Sequence, residues 1–150
     1  MNILFDIGHP AHVHLLRNVY KKLTKDGHQV VITVKEIPSA KKLLDIYQIP
    51  YINIGHKSDS LWGKAFNQLA YNVKLWWLVM TKHIKIGVHG ITVAHISKFS
   101  PMVSILPDDD DDAVEPLFTK FAHPFADVIL TPDCIQRKAK KSWYYPGYHD

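Results

Sequence analysis

Hydrophobic positions along this chain alternate between short apolar runs and stretches of helical spacing, and that alternation sets the expected fold. Ile3 to Ile7 is a short run, β-branched in part and stopped by Gly8, as a buried strand is. Pro10 suits the first turn of a helix, where its missing N–H costs nothing. His12, Leu16, Val19 and Leu23 form one stripe of that helix, which runs to Asp26 with Gly27 as its stop. Gln29 to Val34 is a second strand, apolar throughout as a strand covered on both faces is. A short helix over Ser39 to Tyr47 and a third strand over Tyr51 to Ile54 follow. The longest helix spans Leu61 to Lys82. Strands at Ile84 to Val88, Met102 to Leu106 and Val128 to Leu130 then alternate with helices at Thr92 to Phe99, Phe118 to Phe125 and Asp133 to Lys141. The chain therefore reads as α/β: a Rossmann-like, doubly wound, mainly parallel sheet of about six strands flanked by helices, one domain over residues 1–150.

Two stretches stand apart. In the longest helix Trp62, Phe66, Leu69, Val73, Trp76, Trp77 and Met80 keep helical spacing and read as a core stripe. Leu75, Leu78 and Val79 widen the apolar arc, so an exposed part has the character to dip into a membrane surface. The tail from Trp143 to Asp150 is aromatic and turn-forming, and reads as the approach to a further domain.

Composition narrows the class. With 47% hydrophobic and 21% charged residues the chain is that of a globular protein. It has no apolar run of membrane-spanning length and no basic-then-apolar leader, so the expected location is cytoplasmic, with peripheral attachment to the inner membrane face as the variant. The lone Cys134 has no thiol partner and reads as structural. Residues 1–100 carry 13 Lys/Arg against 5 Asp/Glu, which suits an anionic partner. Beyond that charge nothing points to nucleic acid. Walker, Gly-x-Gly-x-x-Gly and Gly-x-Ser-x-Gly motifs are absent, which disfavours P-loop NTPases, ordinary dinucleotide enzymes and serine hydrolases.

The candidate chemistry gathers at strand ends. The first strand delivers Gly8, His9 and His12, the fourth His89 and Gly90, and the fifth Asp108 and Asp109, all toward one edge of the sheet. His12, in the first helical turn, feels the positive end of the helix dipole, which favours a neutral imidazole ready to accept a proton. Its alternative is a histidine packed on the sheet and bonded to a carbonyl. His9 caps the helix or touches a ligand, and His14 lies round the helix from His12 and faces solvent. Histidines beside aspartates invite a metal, but His12 and His14 diverge and no His-Glu-x-x-His pattern occurs, so no resident metal is expected. Asp111 and Asp112 read as solvated loop, whereas Asp108 and Asp109 are placed to orient sugar hydroxyls or a divalent cation.

Asp6-Ile7-Gly8-His9-Pro10-Ala11-His12-Val13-His14, with Ala94-His95-Ile96-Ser97-Lys98, the aspartate run, His123-Pro124-Phe125-Ala126-Asp127 and Tyr145-Pro146-Gly147-Tyr148, resembles a family of archaeal and bacterial proteins of unassigned function. That family looks like the GT-B glycosyltransferases and the hydrolysing UDP-N-acetylglucosamine 2-epimerases, and is often found among surface-polysaccharide genes. Gly8-x-x-x-His12-Val13 is similar to the glycine-rich loop of the N-acetylglucosaminyl transferase that makes lipid II, with Pro10 and Ala11 in place of its paired glycines. The resemblance implies an N-terminal, acceptor-side half whose nucleotide-sugar-binding C-terminal domain is absent here, so that the chain alone is nearly inactive. It implies a nucleotide sugar as donor, no resident cofactor, and a saccharide or lipid-linked acceptor. His12 would be the base, with Gly8, His9, His89, His95, Asp108 and Asp109 as substrate-binding residues. A nucleotide-sugar 2-epimerase and a non-catalytic sugar- or nucleotide-binding module are the alternatives.

Overall fold

Buried apolar runs become strands and the amphipathic stretches between them become helices on either face. A computed structural model describes residues 1–55, 61–108, 116–134 and 141–146. The strands are β1 (Asn2–Ile7), β2 (Gln29–Lys35), β3 (Ile52–Gly55), β4 (Ile86–Val88), β5 (Val103–Pro107), β6 (Val128–Pro132) and β7 (Ser142–Tyr145), and the helices are α1 (Pro10–Lys25), α2 (Pro38–Ile46), α3 (Leu61–Thr81), α4 (Ile91–Ser97) and α5 (Pro116–Phe121). The strands form one sheet in the order β3-β2-β1-β4-β5-β6-β7, every pairing parallel. Alternate residues of β1 face opposite layers. Ile3, Phe5 and Ile7 pack with Val13 and Leu16 of α1 and Ala40 and Leu44 of α2, while Leu4 packs with Leu75 and Val79 of α3 and Val93 and Ile96 of α4. Gly27, at φ 82°, ends α1 in the left-handed conformation that favours glycine.

Two expectations are corrected. The sheet has seven strands among the described residues, because Ser142–Tyr145 pairs along β6 from Ile129↔Ser142 to Pro132↔Tyr145. The aromatic residues read as a turn-forming tail make an edge strand, the setting such side chains favour. Asp133 donates its N–H to the Tyr145 carbonyl at 3.0 Å, and the helix it is expected to cap lies outside the described residues.

The second correction concerns α3. Tyr71, Leu75 and Val79 face the core, whereas Phe66, Leu69, Val73, Trp76, Trp77 and Met80 are exposed. Both arcs are apolar, so periodicity alone does not choose between them. On the packed side the Gln68 amide donates to the Thr92 hydroxyl at 2.8 Å and to Asn72 Oδ1 at 2.9 Å, so polar residues are satisfied against α4 while tryptophans face outward.

At the opposite edge from the strand ends, Asp127 ties β6 to β5 and α4. It accepts from the Ser104 N–H and hydroxyl, both at 2.9 Å, and is ion-paired with Lys98. Burial alone would raise its pKa, but the Lys98 and Ser104 bonds outweigh that and hold it down to about 2. No helix among the described residues is long and apolar enough to cross a membrane.

Candidate functional site

Strands β1 and β4 are neighbours, yet the chain leaves β1 through α1 toward β2 and leaves β4 through α4 toward β5. Divergence of that kind opens a crevice at the carboxyl ends of the two strands, the usual ligand position in open α/β sheets. His9 caps α1, its Nδ1 accepting from the Ala11 N–H at 3.3 Å, and Pro10 occupies the first turn. This places His12 one turn in, where its Nδ1 accepts from the Gly8 N–H at 3.2 Å. From β4, His89 turns back over the edge with φ 69° and lays its ring on His12, centroids 3.6 Å apart and 35° between planes. A non-glycine residue at positive φ is strained backbone of the sort found at ligand sites. The ring of His9 stands 5.9 Å from that of His12.

The electrostatics follow from this crowding. Burial, with His89 and His9 adding to it, lowers the His12 pKa from 6.5 to about 3, so the imidazole is neutral at physiological pH. Because Nδ1 accepts from Gly8, the proton of the neutral ring sits on Nε2. The ring thus offers one lone pair, now lightly held by a backbone N–H, and one N–H donor.

Beneath the crevice, on the α3 and α4 side, lies Asp6. It is 2% exposed, and its Oδ1 accepts from the Thr33 hydroxyl at 2.9 Å. Burial pushes its carboxyl up, against the Lys35 charge and the Thr33 bond, which pull it down. Gly90 turns into α4 directly over it, at φ 89°. A Cβ at Gly90 would stand 2.8 Å from Asp6 Oδ2.

Of the residues singled out from sequence, Gly8, His9, His12 and His89 meet at the crevice. Asp108 follows β5 on the same edge, buried, with its carboxylate engaged by His123. His95 is carried down α4 away from the edge. Its Nε2 lies 2.8 Å from the Phe121 carbonyl, and its ring stands edge-on to Phe125, so its described contacts join α4 to the end of α5 and the segment that follows. Asp109, Asp111 and Asp112 lie outside the described residues. Sequence reasoning gave no role to Asp6 or His123, although both stand within the motifs that carry the resemblance. Among the described residues no group of three His, Cys, Asp or Glu side chains is arranged to hold a metal ion.

Residues 1–143 match the model of a family described as protein of unknown function, DUF354. No curated protein sequence matches the chain. Solved structures share its fold. A UDP-N-acetylglucosamine 2-epimerase superposes with TM-score 0.71 at 15% identity, over 96% of this chain and 47% of that one. MurG from Acinetobacter baumannii gives 0.71 at 15% identity, over 98% of this chain and 45% of that one. The spinosyn rhamnosyltransferase SpnG, complexed with thymidine diphosphate, gives 0.68 at 12% identity, over 95% and 48%. The fold is therefore that of GT-B glycosyltransferase and epimerase domains, and this chain spans about half the length of those structures.

Proposed function

We propose that this chain, which belongs to the DUF354 family of proteins of unknown function, is the acceptor-side half of a GT-B type glycosyltransferase acting in surface polysaccharide synthesis. The observation that carries the reading is the neutral His12 at the switch point, stacked on His89 and loosely held through Nδ1 by Gly8. The acceptor, a saccharide or lipid-linked saccharide, lies in the crevice with a hydroxyl replacing the Gly8 N–H at Nδ1. That hydroxyl gives its proton to Nδ1 as its oxygen bonds to the anomeric carbon of a nucleotide sugar. The bond from that carbon to the diphosphate breaks, and the nucleoside diphosphate leaves with the electron pair. The donor is held by a second, nucleotide-sugar-binding half. Its negative charge, brought beside the imidazole, opposes the desolvation that depresses the His12 pKa and strengthens the base when both substrates are present. Gly8 and His9 shape the loop, and His89 with Asp108 at the end of β5 holds acceptor hydroxyls.

The test is acceptor dependence. The protein carrying both halves is given a panel of nucleotide sugars with and without saccharide acceptors, and products are read by mass spectrometry. Transfer predicts nucleoside diphosphate release that requires an acceptor, together with a lengthened saccharide. Release without acceptor, accompanied by a free 2-epimerised sugar, assigns the protein to the epimerases instead.

A further inference from the structure

We propose that the outward face of α3 docks on the surface of an anionic lipid bilayer. Phe66, Leu69, Val73, Trp76, Trp77 and Met80 lie along one side of this 21-residue helix, and Phe66 is 73% and Trp77 65% exposed. From Phe66 to Met80 the stripe is about 21 Å long at the rise of an α-helix. Scattered exposed apolar residues are ordinary on proteins, but a continuous line of six large ones marks an interaction surface. Phe99, 78% exposed, extends the patch sideways, and its carbonyl accepts from the Trp76 indole N–H at 2.9 Å. The polar atom of Trp76 is thereby satisfied within the protein. Between these residues runs a mainly apolar groove of about 330 Å³, lined by Leu69, Val73, Trp76, Ile96 and Phe99 with the polar Asn72 and His95 on its wall, a size that admits the end of an acyl chain.

Charge selects the occupant. From Ser60 to Pro107 the chain has five lysines and no aspartate or glutamate. Lys74, Lys82 and Lys85 are exposed on and beside the helix. An apolar stripe with tryptophans, bordered by lysines and free of carboxylates, is the composition of a helix lying flat at a bilayer interface, where anionic headgroups meet the lysines. A second copy of the chain fits the same face poorly, because a two-fold interface sets the same lysines against one another. No described helix is long and apolar enough to span the bilayer, so attachment is at its surface. This face of α3 is separate from the crevice chemistry, since His12 belongs to α1 on the other face of the sheet.

The experiment is flotation of the intact chain with vesicles of phosphatidylglycerol and phosphatidylethanolamine, against vesicles of phosphatidylcholine, at low salt, with tryptophan emission read in parallel. The expected result is that most of the protein floats with anionic vesicles and little with neutral ones, that the emission shifts to the blue, and that added salt weakens binding. A Phe66→Ser/Trp77→Ser double variant, with its melt unchanged, is expected to lose at least tenfold in vesicle affinity. Val19→Ser, at an exposed apolar position of α1, is expected to keep wild-type binding. Failure to float with anionic vesicles at low salt overturns the proposal, as does equal binding by the double variant. Sedimentation as a dimer that the double variant converts to monomer also overturns it, assigning the face to a second copy.

Discussion

Replacing His12 by alanine is expected to lower acceptor-dependent turnover of the protein carrying both halves by roughly 10²–10⁴-fold, the range for losing one positioned acid–base group. Saccharide binding should change by no more than a few-fold, because the substitution leaves His9, His89 and the backbone of the loop in place. A second readout comes from stability. His12 has a folded pKa of about 3 against 6.5 for the free side chain. Below pH 6.5 the unfolded chain therefore binds a proton that the folded chain excludes. Stability is complete above pH 6.5 and falls as pH drops toward 3, by at most about 1.4 kcal/mol per pH unit. Urea midpoints taken from pH 8 to pH 4 should show this slope starting above the carboxylate range, and His12→Ala should flatten it. Midpoints that stay level between pH 7 and pH 5 in the unsubstituted protein would contradict the buried, neutral imidazole. Loss of saccharide binding with no separate effect on turnover would make His12 a binding residue and the chain a recognition module.

Gly90→Ala is expected to destabilise the chain by about 2–4 kcal/mol, the sum of a backbone held where side chains are disfavoured and a contact with a buried group. The backbone at Gly90 has φ 89° and ψ 143°, and the new Cβ would stand 2.8 Å from the carboxylate oxygen of Asp6. Asp6 has little room to withdraw, being buried and bonded to Thr33. For a chain of this length the melting temperature should fall by roughly 5–15 °C. An Asp6→Ala/Gly90→Ala double variant should regain the part due to the contact while keeping the part due to φ. A melt unchanged in Gly90→Ala would mean that the crossover above Asp6 is not as tight as the structure has it. His89, beside Gly90, is carried by the same turn, so the two readouts test one corner of the site from different sides.

The joint between β1 and α1 was legible because its signals are local: an apolar run, a glycine stop, and a proline that tolerates only the first helical turn. From strand alternation followed the parallel sheet, and from the sheet the meeting of His12 with His89, although 77 positions separate them in the sequence. What was not legible depends on contacts that no spacing encodes. In α3 two apolar arcs compete, and no spacing tells that Gln68 lies on the packed side, bonded to Thr92 of α4 and to Asn72 of its own helix. Asp108 was readable as a polar group at a strand end, but not that His123 engages it, since that pairing depends on how the segment after α5 folds back. His95 carries the chemistry of a ligand and the position of a packing residue. The edge strand Ser142–Tyr145 was hidden because aromatic residues before a Pro-Gly pair serve a turn as readily as a strand.

The central claim is that the crevice between β1 and β4 takes the acceptor saccharide. Its most direct test is a two-dimensional amide NMR titration of this chain with simple saccharides, nucleotides and nucleotide sugars. Saccharides are predicted to shift the amides of Gly8, His12, His89 and Gly90, with nucleotides leaving them in place. Shifts of those same amides by nucleotides at sub-millimolar concentration would contradict the account, placing the donor in this half of the molecule.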